Sequence, residues 1–370
     1  MPYAETVTSL KVMPLEVSEH THEQRPLLVV GTAIMRGEDM PAKGALTVFK
    51  IIDVVPEPER PETNIKLHVF SREETKGAVT TVEPFPGGLI GTAQGQKMMI
   101  RGLKEDGSCL PVAFLDAQCH MTQLKALGQS GMWLAGDAWK GLWFGGFTEE
   151  PYRLSVLGKS PRTQMEVVTA EFLPFDGQLF VMIVDAQSDL HVLQYDPENP
   201  KSMSGMLLLH KSTFHLGGHL PTQMALLPST LAPFAEQQPL ANGHMEEGEG
   251  EEKGNASPQA PALYHILTTS QTGAVSLITP VDEATYRRLS ALQTHLTSIL
   301  EHAGGLNPRA YRAVESEGFG ARGLVDGSLV QRITELGAAR MAEVLGRAGA
   351  DAWGLRSDLE ILGGGGLGFL

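Results

Sequence analysis

LFVMIVDAQSDLHVLQYD (Leu179–Asp196) is an apolar run, a small polar turn and a second, alternating run. The first run is rich in Val and Ile, which favour strands. Asp185 and Asp189 fall where the run breaks, and Asp favours turns because its short side chain bonds the nearby backbone. The stretch predicts two antiparallel strands joined by a tight connection.

The same pattern recurs along the chain. Earlier copies are LLVVGTAI then ALTVFKII (27–34, 45–52), GLIGTAQ then KMMIRGL (88–94, 97–103), and MWLAGDA then GLWFGGF (132–138, 141–147). A later copy is ALYHILTTS then AVSLITP (262–270, 274–280). A further strand candidate precedes four of the copies: TSLKVMPLEV, AVTTVEPF, MTQLKAL and EVVTAEFL. Copies begin roughly 45 residues apart where no insertion intervenes, a spacing typical of propeller blades. One such meander leaves an apolar face bare, so copies must stack. The fold expected is mainly β, a partial β-propeller with about five visible blades, followed by a small α-helical C-terminal domain. A β-sandwich is the competing reading of regular strand spacing.

The strand pattern stops at Pro280. TYRRLSALQTHLTSILEHAGGLNPRAYR (Thr285–Arg312) carries Leu289, Leu292, Leu296, Ile299 and Leu300 at helical spacing. Asp282 is placed to cap the first turn, and Gly304-Gly305 to end the helix. Asn307-Pro308 is a signal to start another. Farther on, Asp326 precedes an apolar set of Leu329, Ile333 and Leu336. Met341, Val344 and Leu345 continue it, and Trp353, Leu355, Leu359 and Leu362 offer a last packing face. The division expected is blades over 1–281 and a helical domain over 282–370. A disordered acidic insert is expected at about 236–261, where EQQPLANGHMEEGEGEEKGNASPQAP lacks apolar periodicity.

Several stretches together resemble one family. They are TYRRLSALQ, HAGGLNPRAYR and VDGSLVQR near the end, with VVPEPERP, GTAQGQKMMI, AFLDAQ and TFHLGGH upstream in the same order. The chain resembles the C-terminal portion of the largest subunit of the cleavage and polyadenylation specificity factor. That superfamily includes the large damaged-DNA-binding subunit and a splicing-factor 3b subunit. The resemblance implies a nuclear, non-catalytic scaffold that helps cleave and polyadenylate pre-mRNA 3′ ends. Its implied partners are the other subunits of that complex, with pre-mRNA as a candidate partner. The alternative is a propeller adaptor of a DNA-repair/ubiquitin-ligase or splicing complex.

Composition and motifs narrow the function independently. The formal net charge of −14 argues against a general nucleic-acid binder, which presents a basic face. Arg287, Arg288, Arg309 and Arg312 nonetheless gather at the joint, as a candidate contact for a partner or RNA. The alternative is a solvated helix face with local ion pairs. The two cysteines, Cys109 and Cys119, make no disulfide framework, which suits a reducing compartment. No long apolar run and no apolar leader is present, so neither a membrane span nor a secretory signal is expected. His215 and His219 have a metal-like spacing, but Gly217-Gly218 would break the helix that spacing needs, so they read as turn histidines. No nucleophile elbow, P-loop or dinucleotide fingerprint occurs. No catalytic residue, metal or cofactor is expected, and the contrasting class is an enzyme with ionisable groups clustered at a channel mouth.

Overall fold

The computed structural model describes residues 4–18, 21–56, 60–161, 164–229, 264–307 and 323–363. The expected acidic insert, the helix start at Asn307-Pro308, Arg309 and Arg312 lie wholly or partly outside them.

Five antiparallel meanders follow one another, each with strands in sequence order. Blade 1 contains β1 (Glu5–Glu16), β2 (Gln24–Ile34), β3 (Lys43–Asp53) and β4 (Ile65–Thr75). Blade 2 contains β5 (Val79–Phe85), β6 (Leu89–Gln94), β7 (Lys97–Leu103) and β8 (Cys109–Asp116). Blade 3 contains β9 (Met121–Ala126), β10 (Met132–Asp137), β11 (Gly141–Glu149) and β12 (Tyr152–Lys159). Blade 4 contains β13 (Val167–Phe175), β14 (Gln178–Asp185), β15 (Asp189–Tyr195) and β16 (Leu209–His215). Blade 5 has three strands, β17 (Pro221–Pro228), β18 (Tyr264–Ser270) and β19 (Val275–Ile278). This is the partial β-propeller the repeat predicted, with five blades among the described residues.

The turns follow from local chemistry. Phe175 pairs with Gln178, leaving Asp176-Gly177 as a two-residue loop with φ of 49° and 67°. Positive φ at both positions is the turn whose twist matches paired strands, and Asp-Gly supplies it at low cost. At the opposite end of β14, the Asp185 carboxylate accepts the amides of Gln187 (2.9 Å) and Asp189 (3.0 Å). Its other oxygen bonds His191 Nε2 at 2.9 Å. The turn and the strand that leaves it are thus fixed by one side chain.

Each blade buries one face against the next. Met13, Leu15, Val29 and Val48 of blade 1 meet Val79, Val82 and Ile90 of blade 2. Phe85, Met98 and Ile100 meet Met121, Leu124 and Trp133 of blade 3. Leu134 and Phe144 meet Phe172, Val181 and Ile183 of blade 4. Leu173, Met182 and Val184 meet Met224 and Ile266 of blade 5. No shared core joins blade 5 to blade 1 among the described residues.

After Ile278 the chain turns helical. α1 spans Glu283–Ile299, and Asp282 caps it by accepting the Thr285 amide at 3.1 Å. It ends before the glycines that the sequence pointed to. Leu300 turns extended, and His302 Nε2 lies 2.8 Å from the Thr297 carbonyl, occupying an acceptor of the last turn. Gly304 instead supplies a left-handed residue, φ 61°, in the following 3-10 turn. α2 (Gly327–Gln331), α3 (Ala338–Ala348) and α4 (Ala352–Leu362) complete the helical part. Leu289, Leu292 and Leu296 pack on Val330, Ile333, Val344, Leu345 and Leu355. The leucine stripe therefore faces other helices, while Ile299 and Trp353 from the expected packing faces stay exposed. No described helix is long and apolar enough to cross a membrane.

Candidate docking surfaces

The inner strands β1, β5, β9, β13 and β17 each carry a β-bulge at one position. The extra residue is Thr8, Thr80, Thr122, Val168 and Thr222 in turn. A bulge frees one residue from the ladder and turns it aside. Three of these threonines use that freedom identically. Thr8 Oγ1 donates to the Val79 carbonyl, Thr80 Oγ1 to Met121 (2.9 Å), and Thr122 Oγ1 to Val167 (2.7 Å). Each hydroxyl thus ties a blade to the residue just before the next bulge. Val168 has no hydroxyl to continue the series. Thr222, at the same place in blade 5, makes no side-chain hydrogen bond among the described residues.

Charged groups add a second set of ties. Lys11 Nζ lies 2.7 Å from Glu83, across blades 1 and 2. Lys125 Nζ lies 3.0 Å from Glu171 and donates to the Met224 carbonyl at 3.0 Å, linking blades 3, 4 and 5. Burial pushes the Glu83 carboxyl above its ordinary range, opposed by Lys11 and Lys125. Arg101, fully buried, bonds Thr92, Gln94 and Glu73 of the preceding blade. These carboxylates and cations are engaged with one another across the blade boundaries.

Blade 1 has a second apolar face. In register across the sheet, Val12 lies opposite Leu28, Leu28 opposite Phe49, Phe49 opposite Val69, and Ile51 opposite Leu67. Leu10 is 65% exposed, Val12 54%, Leu67 47% and Val69 51%, although Met13, Leu15, Leu27, Val29, Leu46 and Val48 on the opposite face of the same sheet are buried. This composition matches the faces that meet between blades, and nothing in the described structure covers it.

The predicted arginines divide. Arg287 is exposed and bonds Glu283 one turn away. Arg288 donates from Nε and Nη2 to the Asp358 carboxylate, at 2.8 Å and 2.7 Å, and so clamps α1 to α4. Donating to Asp358 holds the Arg288 pKa above the ordinary value. Sequence spacing does not reveal this pair, since its members are 70 positions apart. His215 closes β16 and bonds Asp189 at 2.8 Å, while His219 bonds Thr272 at 3.0 Å. His215 is thus a strand residue rather than a turn residue, held by Asp189. No group of three or more His, Cys, Asp or Glu side chains among the described residues is placed to hold a metal ion.

A family model described as the CPSF A subunit region matches residues 1–335. Protein cft1 of Aspergillus fumigatus is 50% identical over 367 residues, 99% of this chain and 25% of the relative. Protein CFT1 of Coccidioides immitis is 48% identical over 363 residues, 98% of this chain and 25% of the relative. Protein cft1 of Schizosaccharomyces pombe is 33% identical over 354 residues, 95% of this chain and 23% of the relative. The chain therefore spans about a quarter of the length of these relatives. It belongs to the CPSF A subunit region family.

Proposed function

We propose that this chain serves as part of a non-catalytic scaffold in the nuclear machinery that cleaves and polyadenylates pre-mRNA 3′ ends. Membership of the CPSF A subunit region family supports the process. The scaffold role rests on one observation: among the described residues no core joins blade 5 to blade 1, and an apolar face is left exposed on blade 1. Such a face is costly in water, at about 25 cal/mol for each Å² of apolar surface left uncovered. Its occupant is another β-meander of the same build, carried by the rest of a polypeptide about four times as long, as in the relatives. Thr222 at the other end of the array supports the same occupant, because its bulge repeats the geometry that elsewhere binds a neighbouring inner strand.

Other subunits of the complex dock on the completed propeller. The blades and the helical region, divided near residue 281, act as separate domains in this reading. Arg287, Arg288, Arg309 and Arg312 are a proposed contact for RNA or an acidic partner, with Arg287 the most accessible of the described pair. Affinity purification from nuclear extract tests the assignment. Copurifying cleavage and polyadenylation subunits, with no turnover assignable to this chain, are the expected result. Copurification with a DNA-repair ligase or the splicing machinery instead would overturn it.

A further inference from the structure

A second surface lies at the boundary of blades 3 and 4, at the end of the propeller that carries the β10–β11 and β14–β15 turns. A cavity of about 250 Å³ opens there between the Trp139 turn, the Met165-Glu166 link and the Asp185–Gln187 turn. Its walls are fixed by the backbone. Asp137 Oδ1 accepts the amides of Trp139 (2.9 Å) and Lys140 (3.0 Å). The Met165 amide donates to the Trp139 carbonyl at 3.1 Å, and the Ala186 amide to the Glu166 carbonyl at 3.0 Å. The cleft is therefore formed before anything enters it.

Its chemistry is specific. Trp139 is 46% exposed on this rigid turn, away from the buried cores. Glu166 is exposed and makes no ion pair among the described residues. Asp185 also lines the cavity, its carboxylate held by the turn amides and His191. Burial pushes its pKa up, but the bonds from His191 and the Asp189 and Gln187 amides outweigh that and keep it ionised. Gln187 adds an amide, and no lysine or arginine is among the described residues lining the cavity. An aromatic face beside carboxylates attracts a cation. A guanidinium suits it better than an ammonium, because it is planar, stacks on indole and forks to a carboxylate. A nucleic-acid base would also stack on indole, but its phosphates would meet Glu166 and Asp185.

We propose that this cleft receives an arginine side chain from a protein partner, stacked on Trp139 and bonded to Glu166. The proposal goes beyond the scaffold reading and uses none of the blade 1 residues, so either can fail alone.

The test is ¹⁹F NMR of the whole chain carrying 5-fluorotryptophan, with the Trp139 resonance assigned through Trp139→Phe. The probe is an acetylated, amidated Gly-Arg-Gly-Arg-Gly peptide. The expected result is a saturable shift confined to Trp139, weakened about threefold by Glu166→Gln and further by added salt. Trp139→Ala should weaken peptide binding about tenfold in a parallel titration, with an unchanged circular-dichroism spectrum because the Asp137 bonds reach only backbone amides. A peptide with citrulline in place of arginine should not shift Trp139. An equal response to citrulline, a Trp139 shift with an octauridylate instead of the peptide, or no shift up to about 10 mM peptide would each overturn the proposal.

Discussion

Replacing Gly145 by alanine isolates the packing between blades 2 and 3. Gly145 of β11 lies opposite Trp133 of β10. A Cβ there would stand 2.1 Å from indole Cζ2 and 2.4 Å from the Ser155 carbonyl oxygen. Neither neighbour can yield cheaply. The indole is fully buried among Phe85, Met98 and Met121, and the carbonyl belongs to the backbone of β12. Overpacking costs about 1–3 kcal/mol, and two rigid neighbours put Gly145→Ala near about 3 kcal/mol. The next residue is the internal control. A Cβ on Gly146 would meet only Leu157 Cδ1 at 3.7 Å and Ser155 Oγ at 3.8 Å, ordinary contact distances. Neither glycine has positive φ, so alanine is not strained by the backbone at either. Gly146→Ala should leave stability within about 0.5 kcal/mol of the parent, or raise it slightly by restricting the unfolded chain. Urea denaturation followed by tryptophan fluorescence measures both. With a slope of about 3 kcal/mol per molar for a chain this long, the midpoint should fall by about 1 M for Gly145→Ala and stay put for Gly146→Ala. Equal midpoints for the two variants would refute the packing described here.

The remaining predictions concern single bonds. Arg288→Ser should cost about 2–3 kcal/mol in thermal unfolding of the helical part, because it leaves the buried Asp358 carboxylate unpaired, whereas Arg287→Ser should cost under about 0.5 kcal/mol. Thr80→Val should cost about 1 kcal/mol in urea by removing an inter-blade hydrogen bond, while Thr222→Val should change the isolated chain by less than about 0.3 kcal/mol. Asp185 is held below its ordinary value of 3.8, so the stability it contributes is complete above that value and lost as pH falls through its lowered folded value. A series of melting temperatures from about pH 5 to about pH 2.5 should show a steeper acid loss for the parent than for Asp185→Asn.

The alternation of apolar runs and turns made three strands of most blades legible, because those strands bury at least one face. The outermost strands β4, β8, β12 and β16 were not legible as blade members. In β8, CLPVAFLD, no residue is fully buried, so its pattern carries little apolar contrast. β17 stands apart from its blade in sequence because a long insert separates it from β18. The threonine ties were equally hidden. Threonine is common in strands, and only the register reveals that Thr8, Thr80 and Thr122 share one bulge position. Among the arginines, Arg287 bonds Glu283 one turn away on the same helix, but only the folded chain brings Arg288 to Asp358. The cap at Asp282 and the stripe of Leu289, Leu292 and Leu296 were legible because both are local to one helix.

The claim that the blade 1 face is covered by further β-structure can be tested at a single atom. Val12→Cys, in a background with Cys109 and Cys119 replaced by serine, places a thiol in the middle of that face. Maleimide labelling is then timed on the isolated 370-residue chain and on the same residues within the assembled processing complex. Prompt labelling of the isolated chain and protection of about a hundredfold or more in the complex are expected for a residue at a packed interface. Equal labelling rates in the two would contradict that claim.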